Sequence, residues 1–188
     1  GAPISGTATL LIGIGLTIVS VSAHLLGFWD EKDEIIEELN KMKTTLNSVT
    51  KLYDEGELSD GIHEIDTVKI AELDRTYFES IRKIFILLHD RASEDAQYGV
   101  EDEDMNFKLK LEIQRGISQL ILGIESKLDS GSAMFYSGQH KSERIEKDKE
   151  TIKDSITAID NCIKMLNDSE STVSSIIRPR EKAAAGVE

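Results

Sequence analysis

The charged residues of this chain are completely segregated from its first 29 residues. No Asp, Glu, Lys or Arg occurs between Gly1 and Trp29, whereas every charged side chain lies from Asp30 onward. The apolar stretch from Ala8 to Trp29 is 22 residues long. As an α-helix rising ~1.5 Å per residue it would reach ~33 Å, enough to cross the hydrocarbon core of a bilayer. The sequence therefore divides into an apolar N-terminal segment and a charged body.

The body contains four amphipathic helical patterns. In the first of them the apolar positions alternate in spacing between four and three, as in a bundle or coiled-coil helix: Ile35, Leu39, Met42, Leu46, Val49 and Tyr53. The only prolines are Pro3 and Pro179, so no residue between them forces a helix to break. We predict an all-α fold with an apolar N-terminal helix over 1–29, an antiparallel four-helix bundle over 30–178, and a C-terminal tail over 179–188.

Three polar or glycine-containing segments separate the helical patterns. The segment 55–61 is predicted to be a turn, and the acidic segment 93–104 a loop. The Gly- and Ser-rich segment 130–138 is predicted to be a connection in which Met134, Phe135 and Tyr136 are exposed.

The sequence contains none of the usual signals of catalysis or of metal binding. No P-loop, no G-x-S-x-G and no E-x-x-H pair occurs, and the four histidines have no metal-ligand spacing. We therefore predict no catalytic, cofactor or metal site, and hence no enzyme. The net charge of −13 would repel phosphates, so no nucleic acid partner is expected. The single cysteine, Cys162, lies in an apolar stripe and is predicted to be a small buried hydrophobe.

The N-terminal segment mixes large apolar residues with small ones. Gly and Ser lower helix propensity in water, but membrane helices tolerate them and use them for close packing. The aromatic pair Phe28 and Trp29 ends the segment, where aromatic side chains favour a membrane interface. These features predict a membrane-inserting or assembly face made of Leu11, Gly13, Gly15, Ile18, Ser22, Leu25, Phe28 and Trp29.

The leading functional prediction follows from this segment. It describes a membrane-active, non-enzymatic protein that inserts into a lipid bilayer as a homo-oligomer and forms a pore, located at a membrane or secreted. Two alternatives stay open. One is a structural subunit whose apolar N-terminal helices pack in the centre of a filament or assembly, and the other is a bundle anchored by a single span. Acidification is predicted to weaken carboxylate pairing that closes the bundle.

Overall fold

The computed structural model describes the backbone of residues 32–98, 105–131 and 133–186, and the side chains of most residues in 32–90 and 111–168. Four helices account for most of this part of the chain: α1 Lys32–Glu55, α2 Thr67–Tyr98, α3 Met105–Ser130 and α4 Ser142–Gly186. Two short strands, β1 Ile62–Ile65 and β2 Gly138–Lys141, pair with each other. The prediction of a mostly helical protein is confirmed, whereas the predicted N-terminal helix lies outside the described residues.

Local sequence signals explain where the helices begin and end. Asp66 caps α2, because its Oδ1 accepts the N–H groups of Val68 and Lys69 at 3.0 Å each. The end of α3 is closed by Gly131, whose φ of +64° favours glycine and whose N–H is donated to the Leu128 carbonyl at 3.3 Å. The segment 93–104 was predicted to be a loop, but α2, which starts after the cap at Asp66, continues to Tyr98.

The core is formed by the apolar seams of the helices, that is, by the apolar positions predicted to recur every three or four residues along one helix face. All six seam residues of α1 are buried. Along α4 the buried positions alternate in spacing between three and four, from Ile145 through Asp148, Ile152, Ser155, Ile159 and Cys162 to Leu166. Burial also raises the pKa of the Cys162 thiol to about 11, so the prediction of a small buried hydrophobe at this position is confirmed.

Ion pairs between helices show which helices are neighbours and in which direction they run. Lys43 contacts Asp160, and Lys149 contacts Asp54 at 2.6 Å, so α4 runs antiparallel to α1. Between α2 and α3, Nη2 and Nε of Arg82 lie 3.0 and 3.1 Å from Oε1 of Glu125. Within the described residues, α1 therefore packs on α2 and α4, and α2 packs on α3.

The two strands were not predicted, and they join two connections that are far apart in sequence. They form an antiparallel ribbon in which Ile62 pairs with Lys141 and Ile65 with Gly138. The ribbon links the α1–α2 connection to the α3–α4 connection at one end of the helices, hereafter the ribbon end. Gly56 is required at this end, because a Cβ there would overlap the carbonyl oxygen of Glu64.

Candidate functional site

Three ionisable side chains with strongly raised pKa values lie at the ribbon end and are connected to one short piece of main chain, two of them directly and Asp148 through the Tyr53 hydroxyl. The polar clamp, as we define it, consists of three side chains and the three N–H groups they fix: Tyr53, Asp74 and Asp148, with Met134, Phe135 and Tyr136. Clusters of perturbed groups are candidate functional sites, although structural networks also perturb pKa values.

Asp74 holds the first part of the clamp. It lies on α2, its residue surface is 6 % exposed, and its Oδ1 accepts the N–H groups of Met134 and Phe135 at 3.0 Å each. Burial raises the pKa of Asp74 to about 6, although the two N–H donors act in the opposite direction. Both donors use the same oxygen, so Oδ2 is the atom where a proton can be carried without breaking either hydrogen bond.

Tyr53 and Asp148 hold the second part of the clamp. The Tyr53 hydroxyl accepts the N–H of Tyr136 at 2.9 Å and donates to Oδ2 of Asp148 at 3.1 Å. Asp148 is 7 % exposed, and burial raises its pKa to about 7 against the opposing effect of the Tyr53 hydrogen bond. Burial and the charge of Asp148 also raise the pKa of the Tyr53 hydroxyl.

The residues between the two carboxylates are buried rather than exposed. Met134 is 2 % exposed and Phe135 1 %, which shows that the predicted exposure of this connection is wrong for both. Phe135 packs edge-on against Tyr77, with ring centroids 5.7 Å apart and planes at 62°. The Tyr77 hydroxyl is fully buried and has no hydrogen-bond partner among the described residues.

A buried histidine fastens the ribbon to the same end of the helices. His63 Nδ1 lies 3.0 Å from the carbonyl oxygen of Tyr53, and its Nε2 lies 3.0 Å from the Ser142 hydroxyl. A carbonyl only accepts hydrogen bonds, so Nδ1 carries a proton, and the Ser142 hydroxyl, which can both donate and accept, is the partner of Nε2. Both ring nitrogens of His63 are thus used within the fold, and no group of three metal-ligating side chains occurs among the described residues.

A third buried carboxylate, Glu38, lies away from the clamp on the face that α1 turns towards α2. Its Oε1 is 3.1 Å from Nζ of both Lys41 and Lys83. Burial raises the pKa of Glu38, but hydrogen bonds from Lys83, Lys41 and Ser80 outweigh it and bring the pKa below its usual value. Glu38 is therefore an ordinary charged partner in an ion pair, unlike the two clamp carboxylates.

The predicted membrane face cannot be compared with this site, because all eight of its residues lie outside the described residues. Among the residues that the structure describes, no helix is long and apolar enough to cross a membrane. In those helices the buried apolar residues among the described side chains form stripes that face neighbouring helices. This finding contradicts the predicted membrane-active and pore-forming function. The filament-core and single-span alternatives are not retained either.

The sequence contained one signal for the clamp that we did not use. Asp148 occupies a seam position between Ile145 and Ile152, and Asp74 occupies a seam position between Ile70 and Tyr77. A carboxylate in an apolar seam must find hydrogen-bond partners when the helix is buried. The partners themselves could not be read from the sequence, because they are two main-chain N–H groups for Asp74 and a tyrosine hydroxyl for Asp148, all of them distant along the chain.

Comparison with known proteins assigns no family to this chain. The chain matches no protein-family model, no curated protein and no solved structure. The functional argument therefore depends on the geometry of the described residues alone.

Proposed function

We propose that this chain is a non-enzymatic helical module whose ribbon end is stabilised by proton binding near neutral pH. In this proposal the four helices form the antiparallel bundle predicted from their seams, an arrangement that the ion pairs between α1 and α4 and between α2 and α3 support. The observation that carries the proposal is that two buried carboxylates hold one three-residue stretch, 134–136, Asp74 directly and Asp148 through the Tyr53 hydroxyl.

The direction of the response follows from the two pKa values. Asp74 and Asp148 have an ordinary pKa of 3.8, and folding raises it to about 6 and about 7. A group whose pKa is raised by folding binds its proton more tightly in the folded state. Its contribution to stability is fully present below the unfolded pKa and is lost as pH rises through the folded value. The clamp is therefore strongest under mildly acidic conditions and weakest above pH ~7.

The hydrogen-bond geometry explains how the clamp persists when it is protonated. A proton on Oδ2 of Asp74 leaves both N–H bonds to Oδ1 intact. A proton on Oδ1 of Asp148 likewise leaves Oδ2 free to accept from Tyr53. In the ionised state, by contrast, two negative charges are buried without a cationic partner among the described residues, and opening the clamp to water relieves that cost.

The roles of the clamp carboxylates support a structural rather than a catalytic assignment. Their hydrogen bonds are directed at main-chain N–H groups and at a phenol whose pKa is itself raised. The net charge of −13 supports the further proposal that nucleic acid is not a partner. Self-association, a bilayer partner and cellular location stay predictions that no contact among the described residues tests.

Hydrogen exchange measured amide by amide tests the proposal. After correction for the intrinsic pH dependence of exchange, the amides of Met134, Phe135 and Tyr136 should be at least about tenfold more protected at pH ~5 than at pH ~8. Amides in the middle of α1 report the change in global stability, so comparison with them separates local opening of the clamp from complete unfolding.

The double variant Asp74→Asn, Asp148→Asn gives the decisive control. Each amide oxygen can still accept the native hydrogen bonds, but neither residue can bind a proton. Protection of the three clamp amides should then become independent of pH. If wild-type protection does not change between the two pH values, the proton response does not exist and the proposal is wrong.

A further inference from the structure

A cleft of about 420 Å³ lies beside the polar clamp, between α2, the end of α3 and the connection that follows it. Its volume is within the range of small-molecule sites, ~300–1,000 Å³. Its lining combines an apolar wall with three charged side chains: Ile70, Phe78 and Leu128, with Asp74, Arg75 and Lys127. Arg75 and Lys127 have no function in the clamp, so this combination is unexplained by the network described above.

Asp74 presents an unused oxygen at this cleft. Its Oδ1 accepts both clamp N–H groups, and no described residue donates a hydrogen bond to Oδ2. The side chain is nearly buried yet lines the cleft, so a donor bound there is the group that can reach Oδ2. A cationic N–H donor suits a buried carboxylate best, because charge-assisted hydrogen bonds are the strong ones. With a pKa of about 6, Asp74 is mostly ionised at neutral pH.

The two cations of the cleft lie apart from that carboxylate. Neither Arg75 nor Lys127 is within the 4.0 Å ion-pair distance of Asp74 among the described contacts. Arg75 contacts Glu79 loosely at 3.6 Å and its side chain is 74 % exposed, while Lys127 lies in the last turn of α3. The cleft thus contains one buried negative group and two positive groups, with an apolar wall alongside them.

We propose that this cleft binds a small zwitterion with an apolar side chain, such as a free apolar amino acid. The ligand ammonium would donate to Asp74 Oδ2, and its carboxylate would contact Lys127 and Arg75. The apolar side chain would pack against Ile70, Phe78 and Leu128. This site goes beyond the proton response of the clamp, although it shares Asp74 Oδ2 with it: the ligand ammonium and the clamp proton compete for that oxygen, while both N–H bonds to Oδ1 persist in either case.

Titration of the full-length, ¹⁵N-labelled chain with three probes tests the assignment. L-phenylalanine, phenethylamine and 3-phenylpropionate share one aromatic ring but carry both charges, only the ammonium, or only the carboxylate. L-phenylalanine should shift amide signals of the cleft with a dissociation constant on the order of 1 mM or tighter. Phenethylamine should bind about threefold to tenfold more weakly, and 3-phenylpropionate should not bind detectably.

Two substitutions locate the charges that recognise the ligand. Asp74→Asn keeps the acceptor for the clamp N–H groups but removes the negative charge, so L-phenylalanine should bind at least about tenfold more weakly. Asp154→Asn makes the same change at an exposed position of α4 and should leave binding unchanged. Lys127→Met should weaken binding of L-phenylalanine but not of phenethylamine. Thermal melting monitored by circular dichroism confirms that each variant is folded.

Three results would overturn the assignment. One is the absence of shifts in cleft amides with L-phenylalanine on the order of 10 mM. The second is binding that the Asp74→Asn variant retains at full strength. The third is binding of 3-phenylpropionate in preference to phenethylamine. None of these results bears on the hydrogen-exchange response of the clamp, so the two proposals succeed or fail separately.

Discussion

Two regions of this molecule bury carboxylates, and they stabilise them in opposite ways. Between α1 and α2, Glu38 is surrounded by the ammonium groups of Lys41 and Lys83, each 3.1 Å from its oxygen. At the ribbon end, the partners of Asp74 and Asp148 among the described residues are main-chain N–H groups and a phenol. The pKa of Glu38 is lowered and those of both clamp aspartates are raised.

The difference shows that hydrogen bonds alone do not determine the charge state of a buried carboxylate. Neutral dipoles only partly offset the loss of hydration, whereas nearby cations outweigh it. The two regions therefore respond to pH in opposite directions. Stability contributed by Glu38 is lost as pH falls below about 4.5, while stability contributed by the clamp is lost as pH rises towards about 7. The combined contribution of these three carboxylates is largest between these limits, while the predicted acid weakening of the bundle stays a prediction.

The largest expected effect is the pH dependence of stability that Asp148 causes. With a folded pKa of about 7, this residue should raise the free energy of unfolding by about 2–3 kcal/mol between pH ~8 and pH ~5. The variant Asp148→Asn should lose that increment, because an amide does not titrate. Urea unfolding at a series of pH values measures it. An identical pH profile in wild type and variant, with Asp154→Asn as the exposed control, would show that Asp148 is not protonated in this range.

A smaller effect is expected from two tyrosines that share burial but differ in hydrogen bonding. Tyr53→Phe removes both the donor to Asp148 and the acceptor for the Tyr136 N–H, so it should lower the free energy of unfolding by about 1–3 kcal/mol. Tyr77→Phe removes a hydroxyl without a partner among the described residues and should be neutral within about 0.5 kcal/mol, or stabilising. Chemical denaturation of the matched pair measures the difference. Equal losses in both variants would mean that packing, not the clamp, determines the role of Tyr53.

The smallest effect is expected at the lysine-paired carboxylate. Glu38→Gln should lower stability at neutral pH by about 1 kcal/mol, because Lys41 and Lys83 are half exposed and solvent screens the pair. It should also remove part of the stability loss below pH ~4.5. Glu37→Gln is the matched control, since its carboxylate is exposed and lies 3.8 Å from Lys41. A loss above about 3 kcal/mol in Glu38→Gln would contradict the view that these cations are well solvated.

The helices were predictable because their signals are repeated along the chain. The seam from Ile35 to Tyr53 contains six apolar residues that all indicate the same face of α1, and every one of them is buried. The buried cysteine was predictable for the same reason. Local caps such as Asp66 were readable in principle, but we extended the helical pattern through Ile65 and missed the strand before the cap.

The ribbon and the clamp were not predictable from the sequence, for two physical reasons. Strands of four residues such as Ile62–Ile65 are too short to show a reliable alternation. The clamp joins groups that are 60 to 95 positions apart, so no local pattern records it. Met134 and Phe135 were predicted to be exposed because their neighbours are Gly and Ser. Their burial comes from contacts such as that between Phe135 and Tyr77, which only the tertiary structure supplies.

The 95-residue separation between Tyr53 and Asp148 also fixes the order in which a growing chain can acquire its parts. During synthesis from the N-terminus, α1 and α2 are complete well before residues 134–136 and the second turn of α4, which contains Asp148, have been made. Until then Asp74 has neither of its main-chain donors and Tyr53 has no carboxylate to bond, so both groups keep access to water. The nascent helical pair therefore emerges without the proton response of the clamp, and the chain acquires that property when its third connection folds back onto the first.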